Sequence, residues 1–336
     1  MAHVILRPGW YLPERDATPE SAYRNRRQFI RELGLGGLGA AALFGSAARG
    51  QQVSSASPPA SASAEAAPAG GTTYPPAYAR RFPFPHDKKF TAERALTDEK
   101  QATTYCNFYE FSLRKHDVQD KVGKLVLNPW EIRIDGLCEK PGSYDVYELI
   151  GKLPVEERVY RHRCVEAWAM TLPWTGFPMK ALLDHVGVKN EAKYIRFVTF
   201  MRPDQAPGIT EHTNYPFPYY DAMTLPEAMT EVAFFGTGLY GKPMPKQNGG
   251  PLRVVAPWKY GLKSIKSLVH IEFTEKRPGV FWHDVNAKEY SWDSNVDPDV
   301  PNPRWSQKKE RLIGRDGTVP TRKYNGYSDY VAQLYG

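Results

Sequence analysis

Residues 49–79 are rich in Ser, Ala, Pro and Gly and show little apolar periodicity. Such a composition buries too little apolar surface to offset the entropy of ordering, so the stretch reads as a disordered or extended linker. No later composition break, second linker or internal repeat follows, and residues 80–336 are therefore expected to fold as one domain, long enough for a sizeable core. The 29 prolines and 13% aromatic content point to a loop-rich fold with packed rings. The formal charge of +7 suits an anionic cofactor or a membrane surface as well as nucleic acid, and several of the basic residues precede the linker, so it discriminates nothing.

Ahead of the linker, Arg26-Arg27-Gln28-Phe29-Ile30 is a twin-arginine signature, followed by a short Gly/Ala-rich apolar run and small residues at Ser46-Ala47-Ala48. Residues 1–48 are expected to be a twin-arginine signal peptide cleaved after about Ala48, which makes the export machinery a partner and the periplasm the destination. The run is shorter than the roughly 20 residues a membrane span needs. The twin-arginine route carries folded proteins, which favours a cofactor inserted before export.

Within 80–336, Trp130–Gly136 alternates apolar and polar residues and reads as a half-exposed strand. Lys140–Ser143 turns the chain into a short helix with Val146, Leu149 and Ile150 on one face. Phe177–Gly187 reads as a second helix, with Pro178 in its first turn, Met179, Leu182, Leu183 and Val186 on one face, and Gly187 as C-terminal cap. Tyr194–Phe200, Leu252–Ala256 and Ile265–Phe273 read as strands. The pattern is mixed α+β without βαβ regularity.

No Gly-x-Gly-x-x-Gly, Walker-type lysine loop or serine-nucleophile elbow appears, and the eight histidines show no pair at zinc-ligand spacing. Cys106, Cys138 and Cys164 form no CxxC and no haem-attachment motif; one disulfide would leave an odd thiol. Cys164 lies in the strand-like run Val159–Met170 among Arg161, His162 and Arg163, cationic neighbours expected to favour its thiolate. Read alone, it is equally a half-buried structural cysteine. Glu166 shares its face if the strand continues, and would relay protons or pair with Arg161 or Arg163.

Four stretches together carry a resemblance: Asn107–Phe111, Arg163–Glu166, Trp174–Leu183, and Asn248–Gly261 running on to Ser264–Lys266, with Pro303–Gln307 in accord. From about residue 80 to the end the chain resembles the sulfite-oxidase-type molybdopterin family, and within it the exported catalytic subunits of protein-methionine-sulfoxide reductases. The resemblance implies a single-domain, β-rich sulfite-oxidase-like molybdopterin-binding α+β fold. It also implies a Mo-molybdopterin cofactor, one molybdenum on a single pyranopterin dithiolene, with Cys164 as the protein's thiolate ligand.

By the same resemblance Asn107 stands beside the metal, and Tyr109 and Glu110 contact the pterin, although Phe108, Tyr109 and Phe111 alone would pass as core aromatics. Cys106 stands where the family often has another polar residue. Thr199 matches a cofactor-contacting threonine, in a strand where Thr is also a propensity choice. Asn248 opens an Asn-Gly-Gly turn whose glycines would let backbone amides approach a phosphate, unless it is a plain hairpin turn. Arg253 would fork onto that phosphate. Ser264, Ile265 and Lys266 would add a hydroxyl, a backbone group and a charge, although Lys266 alone would pass as a solvated strand residue.

The implied reaction is reduction of protein-bound methionine sulfoxide by oxygen-atom transfer, repairing oxidised periplasmic proteins. Electrons are expected from the quinone pool through a membrane haem-binding subunit, with a monomeric catalytic chain and no nucleic acid. The alternatives are a sulfite dehydrogenase, a reductase of small S- or N-oxides on the same fold, or a binding protein that keeps the pterin site as a relic.

Overall fold

The computed structural model describes residues 74–336. The expected signal peptide and residues 49–73 of the expected linker lie outside them. The folded body starts earlier than expected. Pro76–Ala79 is a helical turn, Tyr74 and Tyr78 are buried, and the Tyr78 hydroxyl donates to the Thr237 carbonyl at 2.9 Å. Two large rings give this end of the linker apolar surface that its Ala, Pro and Gly lack.

The strands, numbered in chain order, form two sheets. The first contains β1 (Glu131–Gly136), β2 (Gly142–Asp145), β5 (Tyr194–Thr199), β6 (Tyr220–Thr224) and β10 (Leu268–Thr274), in the order β2-β1-β10-β5-β6. Only β1 and β10 run parallel; the other neighbours are antiparallel. Ile132 and Ile134 of β1 point inward while Glu131 and Arg133 are exposed, the alternation its sequence predicts. Asp145 ends β2 and accepts from the Tyr147 and Glu148 amides, capping the helix Val146–Gly151.

The second sheet is built on β4 (Trp168–Pro178), buried along its length except at Pro178. Its partners are β3 (Glu156–Arg163), β7 (Phe234–Leu239) and β11 (Lys309–Leu312). β3 pairs antiparallel with one edge of β4. On the other edge β11 pairs in parallel with Trp168 and Ala169, and β7 takes Trp174 to Pro178. β8 (Lys242–Pro243) and β9 (Arg253–Val255) extend from β7, and β12 (Val319–Pro320) from β11. Between β11 and β7 the edge of β4 is completed by loops: Thr97 N donates to the Thr171 carbonyl at 2.9 Å and Tyr240 N to the Pro173 carbonyl at 3.1 Å.

Val159–Met170 is thus not one strand. It is the end of β3, a turn at Cys164–Ala167, and the start of β4. Pro178 also differs from expectation: it ends β4 and caps the helix Met179–Val186 from outside, while Gly187 closes that helix at φ 66° as expected. Met179, Leu182, Leu183 and Val186 are all buried. Among the described residues no helix is long and apolar enough to cross a membrane.

Candidate active site

Cys164 sits in the turn of the β3–β4 hairpin. Its N–H donates to the Trp168 carbonyl at 2.9 Å, and Ala167, at φ 60°, returns an N–H to the Cys164 carbonyl at 3.1 Å. The left-handed residue reverses the chain within four positions, so the cysteine and the carboxylate two residues on face the same space. The turn is braced from behind. Trp305 Nε1 and Gln307 Nε2 both donate to the Val165 carbonyl at 2.8 Å, and Arg163 donates to the Cys164 carbonyl and to Gln307 Oε1. The Pro303–Gln307 stretch therefore acts on the site by holding this turn.

The turn borders a cavity with about 1030 Å³ of empty space, part of it open to solvent. Eleven of the twelve predicted site residues line it: Cys106, Asn107, Tyr109, Glu110, Cys164, Glu166, Asn248, Arg253, Ser264, Ile265 and Lys266. Thr199 does not. It is buried behind the wall, its hydroxyl donating to the Ser267 carbonyl at 3.1 Å. Also in the lining, and not singled out from sequence as site residues, are His162, Trp168, Trp174, Tyr219, Trp282 and Tyr290. His162 carried a period-2 signal: in the strand-like run read from sequence it stands two residues before Cys164, and at the end of β3 it does reach the same cavity.

At the open end, Glu166 Oε2 is saturated. Lys115 Nζ lies 2.8 Å away, Asn107 Nδ2 and Trp168 Nε1 donate at 3.2 Å, and the Cys164 thiol donates at 3.6 Å. Burial would raise the carboxyl's pKa, but Lys115, Asn107 and Trp168 together outweigh it and hold Glu166 below its ordinary value. Glu166 is therefore a carboxylate at neutral pH. All four contacts fall on Oε2. The pairing expected with Arg161 or Arg163 does not occur; the partner is Lys115, remote in sequence.

The expected thiolate at Cys164 is also corrected. Burial, then the Glu166 charge, push the thiol up to about 12, against weaker pulls from Lys115 and Arg163. Arg161 and Arg163 lie on the far face of β3. Arg163, wholly buried, pairs with Glu310 at 3.0 Å, and Arg161 reaches Glu93 and the Asn325 carbonyl. His162 on the cavity face is neutral: burial, then Arg253 and Lys266, take its pKa down to about 3.

The inner wall holds two cations. Arg253 donates to the carbonyls of Asn248 at 2.7 Å and Ser264 at 2.8 Å, and its guanidinium lies 4.8 Å from the Trp174 ring centre. Lys266 Nζ donates to the carbonyls of Asn107 and Gln247 at 2.8 Å. Burial is the main cause that lowers Arg253 to about 9 and Lys266 to about 8. Among the described residues neither makes an ion pair, although both line a buried wall. Carbonyl dipoles and the ring faces of Trp174 and Phe108 hold them, with Glu110 near Lys266 but not paired to it, an arrangement that suits an anion.

Around them Asn107 Oδ1, Asn248 Oδ1 and Trp174 Nε1 are buried without a hydrogen-bond partner. Orphaned polar atoms on one cavity wall are the signature of a polar ligand. Cys106 lies with the two cations, its thiol raised by burial and only partly relieved by Lys266 and Arg253.

The glycines of Asn248-Gly249-Gly250 do something other than expected. Their N–H groups are spent on the Lys246 and Pro245 carbonyls, so they offer no phosphate nest. They permit close packing instead: a Cβ on Gly249, at φ 102°, would stand 2.8 Å from Lys266 Cβ, and one on Gly250 would stand 2.4 Å from the Tyr74 hydroxyl. The anion-binding groups of this wall are the two cations.

A buried thiol at one end, two uncompensated cations at the other and orphaned donors and acceptors between them suit an extended anionic cofactor that ends in a thiolate-binding metal. In agreement, residues 120–282 match the oxidoreductase molybdopterin binding domain family. The protein-methionine-sulfoxide reductase catalytic subunit MsrP of Xanthomonas axonopodis pv. citri is 42% identical over 99% of this chain and 97% of its own. The subunit of the same name from Burkholderia mallei is 39% identical over 96% of this chain and 93% of its own. The chain belongs to this MsrP family.

It is a molybdopterin-binding oxidoreductase, of the single-domain α+β fold that its sequence leads one to expect. The MsrP protein of Xanthomonas campestris pv. campestris, at 40% identity over 99% of this chain, agrees. Among solved structures, the sulfane dehydrogenase SoxCD of Paracoccus pantotrophus aligns over 45% of this chain and 40% of its own at 18% identity and a TM-score of 0.38.

Proposed function

We propose that this protein reduces protein-bound methionine sulfoxide to methionine with a mononuclear molybdenum carried on one pyranopterin dithiolene. The observation that carries this reading is the placing of the Cys164 thiol and the buried Arg253 and Lys266, neither of them in an ion pair, on the wall of one cavity. When bound, the cofactor supplies the two-electron step that takes an oxygen atom from a sulfoxide and leaves a thioether. Cys164 would hold the metal, giving up on binding the proton it keeps in the free protein. Among the described residues no group of three or more His, Cys, Asp and Glu converges, so a metal here would bring most of its ligands with it.

Arg253 and Lys266 would hold the phosphate end, and Asn107, Asn248 and Trp174 would satisfy the pterin's polar edge with their free atoms. Glu166, held as a carboxylate by Lys115, Asn107 and Trp168, would order water beside the Cys164 end of the cavity. Reduction of a sulfoxide consumes two electrons and two protons and releases water, so an electron donor is needed. The relatives' designation as a catalytic subunit supports a second subunit, which we take to be a membrane haem-binding protein fed by quinol. Oxidised envelope proteins are the substrates this reading requires, and the twin-arginine sequence Arg26-Arg27 supports export to the periplasm with the cofactor in place.

The deciding experiment is metal analysis and steady-state turnover of natively expressed protein, beside Cys164→Ala. We expect stoichiometric molybdenum and reduction of a methionine-sulfoxide peptide in the wild type. Cys164→Ala should lose at least about a thousandfold in activity while keeping its fold, a loss of about 4 kcal/mol in transition-state stabilisation. Sulfite oxidation without sulfoxide reduction, or a fully active Cys164→Ala variant, overturns this reading.

A further inference from the structure

Beyond the cofactor walls, the cavity carries a collar of aromatic rings. Tyr109 and Trp282 lie 5.5 Å apart at an interplanar angle of 83°, Trp282 and Tyr290 5.0 Å apart, and Tyr215 backs the first two at 5.6 and 5.7 Å. Tyr109, Trp282 and Tyr290 line the cavity together with Cys164 and Glu166.

These rings differ from those of the core. Tyr109, Tyr215 and Trp282 are only partly buried, whereas core rings such as Phe111, Phe177 and Phe197 are fully enclosed. The collar rings come from three separate segments, and none is left loose. Phe281 stacks on Tyr219 at 4.5 Å, which seats its neighbour Trp282. His283 Nδ1 bonds the Tyr290 carbonyl at 2.9 Å, and Asp284 accepts from the Tyr220 hydroxyl at 2.8 Å. Two half-exposed rings, Tyr109 and Trp282, beside the buried Tyr290, all three lining the cavity and pinned from behind, are preorganised for a ligand.

Tilted and edge-to-face rings on one cavity wall offer π-surface and carry no formal charge. They favour a small group with an electropositive, polarisable surface, and the S-methyl and sulfur of a methylsulfinyl group are that kind of group. Sulfur–aromatic contacts contribute about 0.3–1.5 kcal/mol each, and an aromatic face attracts positive charge density in the same way. We propose that Trp282, with Tyr109 and Tyr290, is the specificity element that grips the methylsulfinyl end of a methionine sulfoxide side chain and directs its oxygen toward the Cys164 end. The proposal deepens the functional reading above and rests on it.

The test compares Trp282→Ala, Trp282→Leu and Trp282→Phe in molybdenum-loaded enzyme. Two quantities are read: KM and kcat for a methionine-sulfoxide peptide, and the Kd of the matching methionine-sulfone peptide, an unreactive analogue, by calorimetry. Loss of about 1.4 kcal/mol of binding is tenfold in Kd. Trp282→Ala and Trp282→Leu should weaken sulfone binding and raise KM about tenfold with molybdenum content unchanged. Trp282→Phe, which keeps a ring, should stay within about threefold of wild type. Unchanged KM and Kd in Trp282→Ala overturns the collar alone, as does Trp282→Leu matching Trp282→Phe, because that would make apolar bulk sufficient. A wild type that turns over sulfite and no sulfoxide overturns the functional reading and the collar with it.

Discussion

Residues 161 to 164 show how far apart sequence neighbours can act. In a strand successive side chains face opposite sides, so His162 and Cys164 reach the cavity while Arg161 and Arg163 are turned away to Glu93 and Glu310. The charges that count at the site come from Lys115, Arg253 and Lys266, which no local window connects to Cys164. Close packing at Gly261 makes the same point at one atom. A Cβ there would stand 2.7 Å from His162 Nε2, nearer than such atoms approach. Gly261→Ala should therefore push the imidazole into the cofactor space, costing roughly 1–3 kcal/mol of stability and a larger share of molybdenum content. Thermal melts beside metal analysis check this; full metal content would show that the imidazole has room to move.

At the scale of elements, the hairpin that carries Cys164 depends on a segment far along the chain. Trp305 and Gln307 hold the Val165 carbonyl, while Arg163 lies between the turn and Glu310 at the start of β11. Glu310 also takes Arg94 at 2.5 Å, so one buried carboxylate serves two guanidinium groups. Removing one partner of a buried pair leaves an uncompensated charge, typically at a cost of about 3–5 kcal/mol. Glu310→Ala should lose about that much in chemical denaturation, and its surviving folded fraction should retain cofactor poorly, because the turn loses its brace. A variant as stable as wild type would show that Arg163 finds another partner or water.

For the whole molecule, the buried titratable groups of the cavity wall make stability depend on pH. Glu110 sits in the wall with its pKa raised by burial to about 7, even with Lys266 pulling it down. A carboxyl held above its unfolded value of 4.5 binds more protons in the folded state, so its contribution is complete below pH 4.5 and is lost as the pH rises through about 7. The cofactor-free protein should accordingly melt at lower temperature at pH 8 than at pH 5.5, with Glu110 responsible for on the order of 2 kcal/mol of the difference. Glu110→Gln should flatten that dependence. An unaltered pH profile in the variant would assign the effect to other groups.

Alternation in β1, the capped helices at Val146 and Met179, the single domain and the four motif stretches are local patterns, and the sequence alone determined them. Their physical basis is short-range: side-chain period, caps and turn residues act within a few positions. The same motifs, through the family they resemble, picked out eleven residues that line one cavity. Tertiary structure alone decided that Val159–Met170 is a hairpin and not one strand, that Lys115 holds Glu166, that the Asn-Gly-Gly amides are already bonded, and that Thr199 stands behind the wall. It also decided that Tyr109, Trp282 and Tyr290 meet. Each of these outcomes depends on which distant segment reaches a buried group first, and that is set by how the two sheets and their loops pack, which no local pattern records.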